Sequence, residues 1–209
     1  MSDNRRGKTL EEHYATLKAE GGYETFIAQK RQRELELQAR EAELALAEAP
    51  LIADLLAIGV SVISVWDLVN TSASYEQALP VLFAHLPRPY PVPIREGIAR
   101  ALAVSEAKYG WQTLVDRYRS EHDQRFKGGL AAAIAVLSDD KVIDDVIALA
   151  RDSVHGPSRI LLLEALARSH APHAQAALTE LAHDPELTVA VAQIARDRSR
   201  RRAKRRTPR

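Results

Sequence analysis

A period of 32 residues runs through the middle of the chain and limits what it can become. Self-similarity at that spacing marks an array of small units that bury their apolar faces against one another. Leu79, Leu82, Phe83 and Leu86 follow the spacing of one helix face. The positions 32 later are Trp111, Leu114, Val115 and Tyr118, and 32 later again Ile143, Val146, Ile147 and Ala150. A second stripe, Ile94, Gly97, Ile98, Ala101 and Leu102, becomes Phe126, Gly129, Leu130, Ala133 and Ile134, then Ser158, Leu161, Leu162, Ala165 and Leu166. The spacing predicts three helix pairs in one register. Aromatic residues at 5% and only 9 glycines argue against an all-β chain.

Weaker copies flank these pairs. Val62, Val65, Trp66 and Val69 lie one period before the second stripe. A helix around Leu51, Ile52 and Leu55 precedes them after a one-residue slip, with Pro50 in its first turn, where a missing N–H costs little. Leu178 and Leu181, then Leu187, Val191 and Ile194, complete about five pairs at the other end. Terminal units of such arrays are atypical because one face meets water. Ser72 or Ser74 is the expected cap of the helix carrying Leu79. The run PRPYPVP, residues 87–93, cannot continue a helix and reads as an ordered turn.

The segment ALPVLFAHLPRPYPVPIREGIARAL, residues 78–102, resembles a HEAT repeat. Leu79-Pro80 opens the first helix, prolines fill the turn, and Ile94-Arg95, Gly97-Ile98 and Ala101-Leu102 carry the second. The short period is similar to that of HEAT-like repeats of the phycobilisome-lyase type. The resemblance covers residues 48–196 and implies an all-α, right-handed α-solenoid of about five HEAT-like helix pairs. It specifies architecture and is nearly silent on activity. Many such repeats pair an Asp in the turn with the Arg. Here the residues six before Arg95, Lys127 and Arg159 are Pro89, Glu121 and Ser153, a departure from that ladder. Trp111, Leu114 and Tyr118 echo a tetratricopeptide first helix, but the second helix and the other repeats lack that pattern.

Residues 24–48 alternate Glu34, Glu36, Glu41 and Glu43 with Arg31, Arg33 and Arg40 and hold no Gly or Pro. One long charged helix over 23–47 is expected, either solvated and docked on the array or binding a partner helix. Leu37 and Leu44 are seven apart, but no heptad is sustained. Residues 1–22 are expected to be a flexible terminus. The net charge of +1 divides into +8 over residues 196–209 and −7 over residues 1–195. Residues 197–209 read as a disordered basic tail carrying Arg198, Arg200, Arg201, Arg202, Lys204, Arg205 and Arg206. Such a tail binds phosphates through counterion release, or serves only solubility. It has no aromatic residue on which a base could stack.

Signals of chemistry are few. The chain has no cysteine, which excludes disulfides, thiol catalysis and cysteine-ligated metals. The histidines read as surface residues; Pro172 separates His170 from His173, and no HExxH motif occurs. HEAT-like hydroxylases carry His-Glu pairs for a di-iron site, and this chain has no His-Glu dipeptide. Asp139, Asp140, Asp144 and Asp145 fit a helix N-terminus. Trp66 and Trp111 lie on apolar stripes, as core residues or as a platform for a ligand. Neither a cofactor nor a metal is expected. No apolar run reaches the ~18 residues of a membrane span. The start lacks the apolar stretch of a signal peptide, so a cytoplasmic protein is expected. Arginine over lysine, 22 to 7, suits a GC-rich bacterial source.

The most suggestive residues are Arg95, Lys127 and Arg159, which share one repeat position. With Arg100 and Arg168 they are expected to line the concave side of the second helices. They are either the array's own arginine ladder or a groove for carboxylates and phosphates. The expected function is a non-catalytic scaffold for an elongated or acidic protein partner, with no membrane role and an open oligomeric state. The alternative is a nucleic-acid-binding protein that uses the groove line and the basic tail. HEAT-like DNA glycosylases are similar in outline, but none of their motifs transfers. Catalysis is not expected, although a fold alone never excludes it.

Overall fold

The computed structural model describes residues 21–206 together with Thr9, Tyr14 and Lys18; the side chains of residues 201–206 fall outside that description. The described residues form ten α-helices and no strand. The chain divides into two compact units, residues 1–46 and 47–209, and helix α1, Tyr23–Ala57, crosses the division.

In the first unit, Tyr14 packs edge-on against Tyr23 and Phe26 at 6.1 and 5.9 Å between centroids. The ammonium of Lys18 lies over the Tyr23 ring. Further along, Leu35, Leu37 and Leu46 are exposed, and Lys30 pairs with Glu34 one turn on. The flexibility expected of residues 1–22 falls mostly outside the described residues.

The second unit opens on the last turns of α1. A separate helix starting at Pro50 was expected, with a boundary after residue 47. Instead, α1 runs through Pro50 to Ala57. An interior proline removes a hydrogen bond and crowds the preceding turn, at a cost of roughly 3 kcal/mol. Burial of Leu51 and Leu55, both 0% exposed, offsets that cost. The buried Glu48 accepts from the Val65 amide at 2.6 Å and from the Ser64 hydroxyl at 3.2 Å. It thereby ties α1 to the start of α2, Val65–Asn70, where Ser64 and Asp67 form a capping box. Gly59, at φ +85°, ends α1: the Val60 amide turns back to Leu55.

Four pairs follow: α3 (Leu79–His85) with α4 (Val92–Ala101), α5 (Trp111–Ser120) with α6 (Gln124–Leu137), α7 (Ile143–Arg151) with α8 (Arg159–Arg168), and α9 (Pro172–Leu181) with α10 (Thr188–Arg206). Short 3-10 turns, Glu76–Ala78, Ser105–Gly110 and Ser153–Ser158, precede α3, α5 and α8. Neither Ser72 nor Ser74 caps α3. The turn Glu76–Ala78 leads directly into it, and Ala78 offers no side-chain bond. The first apolar stripe is buried except for the half-buried Phe83 and Trp111, and the second except for the half-buried Leu161.

The second helices pack on one another in sequence. The contact of α4 with α6 is the most extensive, and α2–α4, α6–α8 and α8–α10 continue the row. Close approach explains two glycines. A Cβ on Gly97 would sit 2.4 Å from Val65 Cγ1, and one on Gly129 would sit 3.0 Å from the Glu96 carbonyl oxygen. The basic C-terminal segment, expected to be disordered, is helical to Arg206. Leu187, Val191 and Ile194 anchor its start, and Arg, Lys and Ala propagate a nucleated helix well. Among the described residues no helix is long and apolar enough to cross a membrane.

Candidate functional site

The basic residue of one pair reaches into the turn of the next. Arg95 on α4 hydrogen-bonds the Glu121 carboxylate, which lies between α5 and α6. Arg117 joins the same carboxylate at 3.2 Å, and both guanidinium groups lie over the Phe126 ring. Arg159, 1% exposed, bonds Asp184 at 2.7 Å and Glu186 at 2.6 Å between α9 and α10. It also donates to the Ala150 and Gly156 carbonyls. Lys127 has no such acid and donates instead to the Glu121 carbonyl at 3.0 Å, with its ammonium over the Tyr118 ring.

These bonds correct the expectation of a basic line offered to a partner. Lys127 and Arg159 are buried and Arg95 is largely so. A buried cation needs a partner, and the fold supplies one to each. Burial works to raise the Glu121 carboxyl. The Asp123 and His122 amides and the Arg95 and Arg117 charges overcome it and hold the group below the usual carboxylate range. Burial lowers the Arg159 proton affinity, but Asp184 and Glu186 reverse this and raise it above its ordinary value.

Arg100 and Arg168 also have internal partners. Arg100 and Arg125 share the buried Glu96 carboxylate, so this acid clasps two guanidinium groups as Glu121 does. Arg168 donates to the Ala135 carbonyl and so bridges α8 to α6. Glu96 went unmarked in the sequence and Glu121 was set against the wrong basic residue, because each binds an arginine of a neighbouring helix pair.

What α6 and α8 leave open is a mixture: Gln124, Arg125, Glu164 and Arg168 are exposed beside apolar and small positions. The uncovered side of α6 carries Gly128, Ala132 and Val136, four residues apart. Beside it α8 presents Ile160 and Leu161; a Cβ on Gly128 would lie 4.0 Å from the Leu161 side chain. Val136 is 48% exposed and Ile160 38%. On the other flank, Arg100 and Ala132 line a cavity of about 530 Å³ with Thr71, Ser74 and Tyr75. The half-buried Trp66 and Trp111 do not lie on this face: Trp66 borders Gly97, and Trp111 Nε1 donates to Asp145 at 3.4 Å.

The histidines expected on the surface include two that are buried. His85 holds Tyr90 Oη at 2.6 Å and Asp54 at 2.8 Å through its two ring nitrogens. His155 packs on Tyr118 at 4.6 Å between centroids, and its Nδ1 has no hydrogen-bond partner. Burial, reinforced by Lys127, pushes the His155 imidazole down. Burial pushes the Tyr118 phenol up to about 12, against a hydrogen bond to Ser158. The acids around α7 are staples rather than a ligand cluster. Asp139 pairs with Lys108, Asp140 accepts from Ser169, and Asp144 meets His173 at 3.1 Å. No group of three or more metal-ligating side chains occurs among the described residues.

On α10, Arg196 engages Gln193 and Arg198 engages Gln175, while Arg200 lies 3.9 Å from Asp197. The side chains of Arg201, Arg202, Lys204, Arg205 and Arg206 lie outside the described residues. Comparison of the chain with protein-family models, curated proteins and solved structures gave no match.

Proposed function

We propose that residues 47–206 form a right-handed solenoid of HEAT-like helix pairs that serves as a non-catalytic scaffold for a protein partner. The row of second helices, the shared register and the inter-unit ladder support this reading. The observation that carries it is the open face of α6 and α8, where Val136 and Ile160 stand exposed over a floor of Gly128 and Ala132. The small residues in the floor, Gly128 and Ala132, admit close approach of another backbone. The exposed Val136 and Ile160 at its border supply apolar area that a partner can bury. The docking surface therefore moves from the basic residues, which the fold consumes, to the apolar strip beside them.

The test compares captured proteins for the wild type and a Val136→Glu, Ile160→Glu double variant, after nuclease treatment of the lysate. Both positions are exposed, so melting temperature is expected to stay within about 3 °C. Loss of a discrete set of partners from the double variant is expected. An identical set on both proteins contradicts the assigned face.

A further inference from the structure

Residues 196–206 hold eight basic side chains and one acid, Asp197, in eleven helical positions. At 3.6 residues per turn eight charges in eleven positions cannot be confined to one face. Local contacts neutralise the described ones only weakly; among the described residues the one carboxylate near them is Asp197, 3.9 Å from Arg200. Arg196 and Arg198 are held by the uncharged amides of Gln193 and Gln175, and Arg200 is 78% exposed. This is the reverse of Arg95, Lys127 and Arg159, whose charges are spent inside the fold.

We propose that this arginine-rich end of α10 binds duplex DNA through its phosphate backbone, without reading sequence. A helix with side chains is about 10–12 Å across and the major groove of B-DNA about 12 Å wide. A helix that is basic on every side can meet the phosphates of both flanking strands from within that groove. Guanidinium groups match phosphate oxygens in pairs. The absence of aromatic side chains from residues 188–209 disfavours single strands, which are held largely by stacking. The net −7 of residues 1–195 does not cancel the effect. The helix continues about 18 Å beyond Ile194, its last buried residue among the described side chains. The screening length at physiological salt is about 8 Å.

The test is fluorescence anisotropy of the full chain with two 30-base-pair duplexes of unrelated sequence, over a range of KCl. Equal affinities for the two are expected, with a log–log salt slope of about −4 to −6. An Arg200→Gln, Arg202→Gln, Arg205→Gln variant keeps helix propensity and is expected to bind at least tenfold more weakly with a shallower slope. Ala203→Pro keeps every charge but breaks the helix. It is expected to lose about tenfold for duplex DNA and nothing for heparin, a flexible polyanion. Undiminished duplex binding by Ala203→Pro, or wild-type binding to polyglutamate as tight as to duplex, overturns the proposal.

Discussion

Arg95 and Glu121 lie 26 residues apart and belong to successive helix pairs, yet they share a buried ion pair that Arg117 completes. Their partnership joins one unit to the next at the edge where the turns lie. Because Glu121 is nearly buried, removing its charge leaves two guanidinium groups without compensation. Glu121→Gln is expected to cost about 3 kcal/mol, read as a lowered urea midpoint with unchanged slope. The Arg95→Met, Glu121→Gln double variant is expected to recover part of that loss, since an apolar replacement of a buried pair is often tolerated. Additive losses contradict the coupling.

Arg159 does for α9 and α10 what Arg95 does for α5 and α6. Its bonds to Asp184 and Glu186 fasten the last pair to α8. Arg159→Met is expected to raise amide exchange throughout α9 and the start of α10 before it affects α4 or α6. Uniform acceleration across the second unit shows instead that the last pair has no separate opening.

Two adjacent glycines on α6 make opposite predictions. A methyl on Gly128 would make only an ordinary contact, with the Leu161 side chain at 4.0 Å, so Gly128→Ala is expected to stabilise by about 0.5–1 kcal/mol through helix propensity. A methyl on Gly129 meets backbone, the Glu96 carbonyl at 3.0 Å, and the Ala99 Cβ at 3.1 Å. Gly129→Ala is expected to destabilise by about 1–3 kcal/mol, because the tightest helix contact must open. Thermal melting of both variants checks the pair. Equal signs contradict the packing of α6 on α4.

Acid weakens the second unit in two stages. His155 and Glu121 both bind protons less readily folded than unfolded, His155 through burial and Glu121 through its amide and arginine partners. The unfolded chain therefore takes up more protons, and stability falls as pH falls. The loss due to His155 begins below about pH 6.5 and that due to Glu121 below about pH 4.3. Urea midpoints measured from pH 8 to pH 3 are expected to show both stages. His155→Leu is expected to flatten the upper one and leave the lower. An upper stage unchanged in His155→Leu assigns the proton elsewhere.

The apolar stripes were legible because burial repeats with the backbone period. Leu114 and Leu130 are fully buried as their spacing implies. The charged partners were not, because the acids serve neighbouring helix pairs: Glu121 binds Arg95 of the pair before it and Glu96 binds Arg125 of the pair after it. Six residues before Arg159 stands Ser153, which suggested no ladder, whereas Asp184 and Glu186 lie 25 and 27 residues after it. Lys127 does have an acid at that offset, Asp152, 25 residues on, but the Asp152 carboxylate caps the Val154 amide and the ammonium turns back to a carbonyl. The second unit begins at residue 47, one residue from the expected 48, but the helix break expected near Pro50 does not occur, because the burial of Leu51 and Leu55 overrode the preference of proline for a helix start. The open strip on α6 was visible only as three small or apolar residues four apart. Finding them only partly covered among the described residues required the packing of α4 and α8.

The most direct measurement of the proposed scaffold role is in-cell photo-crosslinking. A benzophenone side chain is placed at Val136, at Ile160, or at the exposed Ala148 of α7 as a control. Discrete protein adducts from positions 136 and 160, absent from 148, are the predicted result. No adduct at 136 or 160, or the same adducts from all three, contradicts partner docking on the open face of α6 and α8.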